Sequence, residues 1–154
     1  MPDISLRQTT PDDLGTLFAQ QSDPLSNQMA GTKARSWETF SQVWERIFRE
    51  GAARARVIIQ DGRVVGGINV FKVNDQDHIG YWIDRACWGR GIASSALALM
   101  LAEVATRPLH ATVAKTNAAS IRVLERCGFR LVGFHMGEET DRYVAREVGR
   151  FVLE

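Results

Sequence analysis

The length, composition and charge of the chain exclude several classes of protein. Its 154 residues suffice for one hydrophobic core, and we expect a single domain over residues 1–154. Lys and Arg number 19 against 18 for Asp and Glu, so we expect neither a nucleic-acid nor a membrane partner. The two cysteines, Cys87 and Cys127, have no histidine beside them, which indicates free thiols and no bound metal. No apolar run reaches the ~20 residues of a membrane span, and we expect a cytoplasmic protein.

The first fifty residues predict one strand followed by helices. Residues 4–9 alternate as a strand does, and Thr10 followed by proline predicts the start of a helix that runs through "DDLGTLFAQQ". A polar connection follows, with a short helix expected near residues 25–30. Ser36 then begins a helix that Gly51 ends. Its aromatic residues share one face and are expected to pack in the core: Trp37, Phe40, Trp44 and Phe48.

After residue 54 the apolar pattern becomes alternating. The stretches "ARVIIQ" and "VVGGINVFKV", joined by "DGR", predict a β-hairpin, and "DHIGYWIDR" predicts a third antiparallel strand. A helix over residues 92–106 is followed by the strand "LHATVAK" and by a helix that Asn117 caps and Gly128 ends. "FRLVGF" and "GRFVLE" predict the last strands, with the charged loop "GEETDRY" between them. This order of elements predicts an α+β domain.

Gly89 and Gly91 stand on either side of Arg90, directly before the long helix that starts at Ile92. A strand, a glycine-rich loop and a helix form an anion site, because the first helical N–H groups have no intrahelical partners and the helix dipole adds about half a positive charge. Phosphate oxygens could approach these N–H groups where side chains are missing. The alternative is that a tight turn into the helix needs glycine, and the loop alone does not decide between the two.

Two better-known phosphate loops do not fit this stretch. A P-loop would need Gly-Lys-Ser/Thr where the chain has Gly91, Ile92 and Ala93. A dinucleotide-binding loop would need a third glycine where Ser94 stands, and a parallel strand–helix–strand unit, whereas this loop follows an antiparallel meander.

A second motif lies downstream, in "NAASIRVLERCGF" over residues 117–129. Together with "WGRGIA" over residues 88–93, it resembles the GNAT superfamily of acetyl-CoA-dependent N-acetyltransferases. That family has a loop Gln/Arg-x-x-Gly-x-Gly/Ala before a helix, then Asn-x-x-Ser/Ala, a helix and Gly-Phe. Trp88 stands where Gln or Arg is usual. "GYWIDRACWGRGIASSAL" is similar to the RimJ/RimL-like branch in particular, and the resemblance covers residues 80–129, about a third of the chain.

The resemblance implies the GNAT fold: a mixed, mostly antiparallel sheet of about seven strands, splayed in the middle and flanked by about four helices. It implies that "YWIDR" and "LHATVAK" separate into a slot for acetyl-CoA, the co-substrate. The pyrophosphate is then expected on the loop, with main-chain groups near Ile83 pairing with the pantetheine arm. The cofactor-binding residues implied in this way are Ile83, Gly89, Arg90, Gly91, Ile92, Ala93, Ser94 and Asn117.

The chemistry implied by the resemblance is direct attack of a primary amine on the thioester. Many members of the family place a tyrosine seven residues after the Asn as the acid for the leaving thiolate, but here that position is Leu124. Ser120 is the remaining hydroxyl, and it either contacts the thiolate or only packs at the start of the helix under the sheet. Asn117 either orients the pantetheine or a water, or serves only as a helix cap. His78 is the candidate for a general base, or else only a surface histidine of the strand, and no base is assigned. The acidic loop over residues 138–141 either attracts a cationic amine or is merely solvated.

The acceptor implied by the resemblance is a protein N-terminus or a small-molecule amine. Its recognition is expected in the N-terminal helices and the final loop, with Met29, Arg35 and Trp37 as candidates and Arg35 as a partner for a substrate carboxylate. Homodimers occur in the family, and "GRFVLE" is one strand that could pair between two copies.

Two alternatives to direct transfer stay open. A non-catalytic acyl-CoA sensor or regulatory module could use the same loop, and Leu124 at the tyrosine position favours it. A covalent route through Cys127 or Cys87 would need a histidine near the thiol.

Overall fold

The computed structural model describes residues 3–51 and 53–154. The strands are β1 (Ile4–Gln8), β2 (Arg54–Gln60), β3 (Arg63–Val73), β4 (Gln76–Ile83), β5 (Leu109–Ala114), β6 (Arg130–Gly137) and β7 (Arg146–Leu153). The α-helices are α1 (Leu14–Gln21), α2 (Pro24–Ala30), α3 (Trp37–Glu50), α4 (Ile92–Glu103) and α5 (Ala118–Arg126). Short 3-10 turns precede α1 at Pro11–Asp13 and follow β4 at Arg85–Cys87.

The seven strands form one sheet in the order β1-β2-β3-β4-β5-β7-β6. Every neighbouring pair is antiparallel except β4 and β5, which are parallel. In the described part of the chain, β4 and β5 share a single register pair, His78 with His110. Beyond that pair the two strands diverge, so the expected mixed sheet with a splayed middle is confirmed.

The two faces of the sheet carry separate apolar clusters. On one face α4 and α5 pack against the central strands, with Leu97, Met100 and Leu124 fully buried. On the other face α1 and α3 cover β2 through Leu17, Phe40 and Trp44. Successive residues of β4 point to opposite faces of the sheet. A ligand beside β4 could therefore contact side chains on both faces, and each face is covered by its own helices.

The local signals that predicted α3 are confirmed at both of its ends. The Ser36 hydroxyl accepts a hydrogen bond from the Thr39 amide, and Gly51 ends the helix with φ +62°. Phe40 and Trp44 are buried as expected, whereas Trp37 is 49% exposed and Phe48 36% exposed. The expectation that all four aromatics belong to the core is therefore wrong for the outer two.

Several boundaries differ from the prediction for physical reasons. The first turn before α1 is a 3-10 turn, because the Asp13 amide donates to the Thr10 carbonyl three residues back at 3.0 Å. The Asp13 carboxylate accepts from the Thr10 amide at 2.8 Å and is paired with Arg7. The long helix α4 ends at Glu103, and Val104 after it has extended backbone angles. The described residues form five α-helices when the short helix α2 is counted, where about four were expected.

The C-terminal strand lies inside the sheet. Strand β7 pairs with β5 on one side and with β6 on the other. The expectation that "GRFVLE" could pair between two copies is therefore wrong, because its main-chain groups are already used. The edge on that side is β6. None of the described helices is long and apolar enough to cross a membrane.

Candidate active site

A cavity of about 410 Å³ lies along β4 and is lined further by residues of α2, the glycine loop, α4 and α5. Eight of the nine residues predicted for the site line it: Ile83, Gly89, Gly91, Ile92, Ala93, Ser94, Asn117 and Ser120. The ninth, Arg90, is exposed and is not among the lining residues. The structure therefore brings together two motifs separated by more than twenty residues of sequence.

The glycine loop presents main-chain N–H groups at the start of α4. Gly89 and Gly91 have φ values of +79° and +73°, so both positions favour glycine by conformation. A Cβ at either position would meet no atom within 4 Å, so the space beside them is also open. The first intrahelical bond runs from the Ser95 amide to the Gly91 carbonyl. The two readings of the loop, a tight turn and an anion site, are thus compatible.

Ser94 adds a polar group to this end of the cavity. Its Oγ is buried and has no hydrogen-bond partner among the described residues. Buried hydroxyls are normally paired, because an unpaired one costs about 1–3 kcal/mol. This unsatisfied hydroxyl beside the start of a helix fits an anionic ligand that supplies acceptor oxygens.

Trp88, where the sequence departs from the usual Gln or Arg, fixes the loop to β4. Its indole Nε1 donates to the Ile83 carbonyl at 3.0 Å, and its ring lines the cavity. The Ile83 carbonyl therefore already accepts a hydrogen bond. The expected pairing of β4 with the pantetheine arm would have to use other main-chain N–H and C=O groups of the strand.

Ser120 and Asn117 meet at the start of α5. Asn117 Oδ1 accepts from the Ser120 amide at 3.2 Å, so the cap expected at Asn117 is confirmed. Leu124, the position of the missing tyrosine, is fully buried in the apolar core.

Tyr81 on β4 supplies a phenol that sequence reasoning missed. Its hydroxyl lies 2.6 Å from Ser120 Oγ, and both residues line the cavity. Burial raises the pKa of Tyr81 to about 12, against the lowering effect of the Ser120 hydrogen bond, so the phenol is neutral at ordinary pH. The strand period could have found it, because Tyr81 stands two residues before Ile83 and on the same face of the strand.

The opposite end of the cavity belongs to the other face of the sheet. Its lining there is Ser26, Met29 and Ala30 of α2 together with Trp82 of β4. The Trp82 indole donates to the Gln20 carbonyl of α1 at 3.1 Å. Of the acceptor candidates, Met29 lines the cavity, whereas Trp37 packs on Phe18 and Phe40 instead.

Of the candidates for base and covalent chemistry, Cys87 alone lines the cavity. His78 stacks on Phe71 beside His110, and it is not a lining residue. Burial raises the pKa of the Cys127 thiol, which disfavours the reactive thiolate, whereas Cys87 does line the cavity. The described residues that line the cavity include no histidine, which a covalent route through a cysteine would need beside the thiol.

A family comparison decides the assignment of this architecture. The family model of the acetyltransferase (GNAT) domain matches residues 3–130. The chain belongs to the GNAT family of acetyltransferases. It is by that membership an enzyme domain of the acetyltransferase class, and the expected family is confirmed.

Solved structures of this family superpose over nearly the whole GNAT domain. RimJ of Mycobacterium smegmatis, in complex with a CoA disulfide, is 25% identical with a TM-score of 0.77 over 97% of this chain and 81% of that one. RimL, a ribosomal L7/L12 alpha-N-protein acetyltransferase in complex with CoA, is 21% identical with a TM-score of 0.78 over 97% and 93%. These neighbours support the RimJ/RimL-like branch. Spermidine N-acetyltransferase of Vibrio cholerae, in complex with CoA and spermine, is 17% identical with a TM-score of 0.80 over 97% and 94%.

A curated relative is much longer than this chain. An uncharacterized protein of Methanocaldococcus jannaschii is 28% identical over 137 residues. The match covers 82% of this chain and 28% of that protein, so the chain spans less than a third of the length of its relative.

Proposed function

We propose that the chain transfers an acetyl group from acetyl-CoA to a primary amine inside the cavity along β4. The observation that carries the proposal is the convergence of the glycine loop, the open edge of β4 and Ser120 on one cavity. CoA bound to the neighbours RimL, RimJ and spermidine N-acetyltransferase supports the same ligand here.

The glycine-loop end of the cavity would hold the pyrophosphate. The unpaired N–H groups at residues 92–94 and the free hydroxyl of Ser94 are donors suited to phosphate oxygens. Arg90 is exposed beside them and adds positive charge without lining the cavity. Main-chain groups of β4 near Ile83 face the gap left by β5, and they would pair with the amides of the pantetheine arm.

Ser120 is the hydroxyl placed to stabilise the leaving thiolate. In the proposed arrangement the Tyr81 phenol donates to Ser120 Oγ, which leaves the serine hydrogen free to point toward the sulfur. The neutral Tyr81 thus acts as a positioning residue from the strand, at the step for which many relatives use a tyrosine on the helix. Asn117 holds the Ser120 amide and so fixes where this hydroxyl stands.

No general base is assigned. The described residues that line the cavity include no histidine, aspartate or glutamate. An acceptor ammonium with a pKa of about 8–10 supplies a fraction of neutral amine at pH 7 to 8. The rate is therefore expected to rise with pH until the acceptor amine itself is deprotonated.

The non-catalytic alternative and the covalent route are tested by separating binding from turnover. Calorimetric titration measures acetyl-CoA binding, and release of the free CoA thiol in the presence of amines measures transfer. For an enzyme with direct transfer, Ser120→Ala lowers turnover and keeps binding, and Cys87→Ser and Cys127→Ser keep both. Binding without transfer to any amine would support the sensor module. Loss of transfer in a cysteine variant would support the covalent route.

A further inference from the structure

Two arginines without carboxylate partners lie beside the α2 end of the cavity. We propose that Arg142 and Arg35 bind an anionic group of the acceptor, so that the preferred acceptor is a small amine bearing a carboxylate or a phosphate. This inference rests on the proposed transfer to an amine, and it names the chemical class of that amine.

Arg142 is anchored against the cavity wall. Its guanidinium lies 5.5 Å from the centroid of the Trp82 ring, which lines the cavity. Nη1 donates to the Lys33 carbonyl at 2.8 Å, and Nη2 reaches Gln21 Oε1 at 3.5 Å. These contacts fix the plane of the group and leave further N–H donors of its five without a protein acceptor.

Arg35 lies on the segment that Arg142 holds. Lys33, two residues before Arg35, also donates its amide to the Arg142 carbonyl at 2.6 Å, so residues 33–35 run alongside residue 142. Arg35 Nε is buried and has no hydrogen-bond partner among the described residues. A buried guanidinium nitrogen without an acceptor is costly, which favours a ligand that supplies one.

No described carboxylate neutralises this pair. Among the described residues, neither Arg35 nor Arg142 has an Asp or Glu oxygen within 4 Å, whereas nearby Lys33 is paired with Glu139. Burial lowers the pKa of Arg142, and the positive charge of Arg35 lowers it further. Two like charges held together in partly buried positions attract an anion more strongly than either would alone.

The location makes this anion site part of acceptor recognition. Trp82 points to the face of α1 and α2, opposite to the Tyr81–Ser120 pair. Neither arginine is among the described lining residues, but Arg142 lies against the Trp82 ring, so the pair flanks the wall of the cavity away from the glycine loop. Guanidinium groups bind carboxylates and phosphates through paired hydrogen bonds, which orients a small acceptor as well as attracting it.

The first test measures anion binding without any acceptor reaction. Acetate and inorganic phosphate are titrated into the protein, with and without saturating CoA, while the arginine Nε–H resonances are followed by NMR. We expect saturable shifts at Arg35 and Arg142 and none at exposed Arg63. In Arg142→Gln the apparent affinity read at Arg35 should fall at least about tenfold, which is the effect of losing one charged hydrogen bond. Absence of saturable shifts for both anions would overturn the proposal.

The second test compares matched acceptors. Methionine is compared with its methyl amide, and phosphoethanolamine with ethanolamine, so the two arms separate a carboxylate from a phosphate. We expect the anionic member of at least one pair to have a kcat/KM about 10–100-fold higher, and Arg35→Gln and Arg142→Gln to bring that ratio close to one. Arg63→Gln is the control and should preserve the ratio.

The outcomes of the two tests distinguish this inference from the proposed function. Equal or better transfer to the neutral amines, or a preference that survives both arginine variants, would overturn the inference and keep the transferase. Failure to bind acetyl-CoA, or transfer to no amine, would contradict the proposed function, and the anion titration would still decide whether the arginine pair binds anions.

Discussion

The glycine-loop end of the cavity comes from one continuous segment, whereas the opposite end combines side chains of α2 and β4, with Arg142 packed behind Trp82. The first end offers main-chain N–H groups, which suit phosphate whatever the neighbouring side chains are. The second end offers Met29 and Trp82, and Arg142 is held beside Trp82 by a hydrogen bond to Lys33 that joins residues more than a hundred positions apart. In our proposal the main chain recognises the common donor, and the side chains select the acceptor.

The largest expected effect comes from placing an acid in the glycine loop. Gly91→Glu puts a negative charge where the phosphates would lie and strains a residue with φ +73°. We expect acetyl-CoA affinity to fall at least about 100-fold in calorimetry, the loss of two charged hydrogen bonds. Gly62→Glu is a matched control, because Gly62 has φ +77° and equally open space, but lies in the β2–β3 hairpin. Equal losses in both variants would contradict a phosphate site at the loop.

Removing the hydroxyls of Ser120 and Tyr81 should lower turnover and preserve binding at the donor end. We expect kcat to fall about 10–100-fold in Ser120→Ala, and about 3–10-fold in Tyr81→Phe, which keeps the ring. The double variant should be no slower than Ser120→Ala, because Tyr81 acts through Ser120. Since the pKa of Tyr81 is raised to about 12, the pH–rate profile of Tyr81→Phe should keep its native shape from pH 6 to 10. Additive losses, or a changed profile, would argue against the positioning role.

The Arg7–Asp13 pair is expected to stabilise the N-terminal layer without taking part in donor binding. Hydrogen bonds from Arg7 hold the pKa of the Asp13 carboxyl at about 2, below its ordinary value of 3.8. A carboxyl whose pKa is lower in the folded than in the unfolded state stabilises the folded protein at pH values above the unfolded-state pKa. The stabilisation by Asp13 is therefore complete at pH 7 and is lost as the pH falls from about 5 to 2. Because Arg7 is half exposed, we expect Asp13→Asn to lower the free energy of unfolding by about 1–2 kcal/mol at pH 7.

This stability effect is measured by urea unfolding across the acid range. The difference between the native protein and Asp13→Asn should shrink toward zero near pH 2, while the affinity for acetyl-CoA at pH 7 stays the same. Asp12→Asn, at an exposed neighbouring position, is the control and should change neither quantity. A pH-independent difference would show that the ion pair is not its source.

The smallest expected effect concerns the wall between the two ends. Trp82→Phe removes the indole donor to the Gln20 carbonyl and part of the ring surface against Arg142. We expect the KM for the acceptor to rise about 3–10-fold, because one neutral hydrogen bond contributes about 0.5–1.5 kcal/mol. The KM for acetyl-CoA should change less than twofold in steady-state assays. A larger effect on acetyl-CoA than on the acceptor would contradict the separation of the two ends.

The parts of the fold that the sequence predicted are those set by neighbouring residues. The ends of α3, the Asn117 cap and the β2–β3 hairpin follow from short motifs, and all three are confirmed. The strand period places Tyr81 on the face of Ile83, but its contact with Ser120, 39 residues away, was missed because no local pattern encodes a contact between a strand and a distant helix. The position of "GRFVLE" was wrong for a related reason, since the order of strands in a sheet depends on long-range pairing.

The single register pair between β4 and β5, His78 with His110, means that a ligand bonded between the two halves of the sheet would change the stability of the protein. The sheet consists of two halves that share one register pair between β4 and β5. A ligand strand in the slot would bond to the folded sheet and not to the unfolded chain, so mass action raises the free energy of unfolding by about 2.7 kcal/mol when the ligand is at 100 times its Kd. The melting temperature of the protein would therefore rise with the fraction of molecules that hold a ligand beside β4.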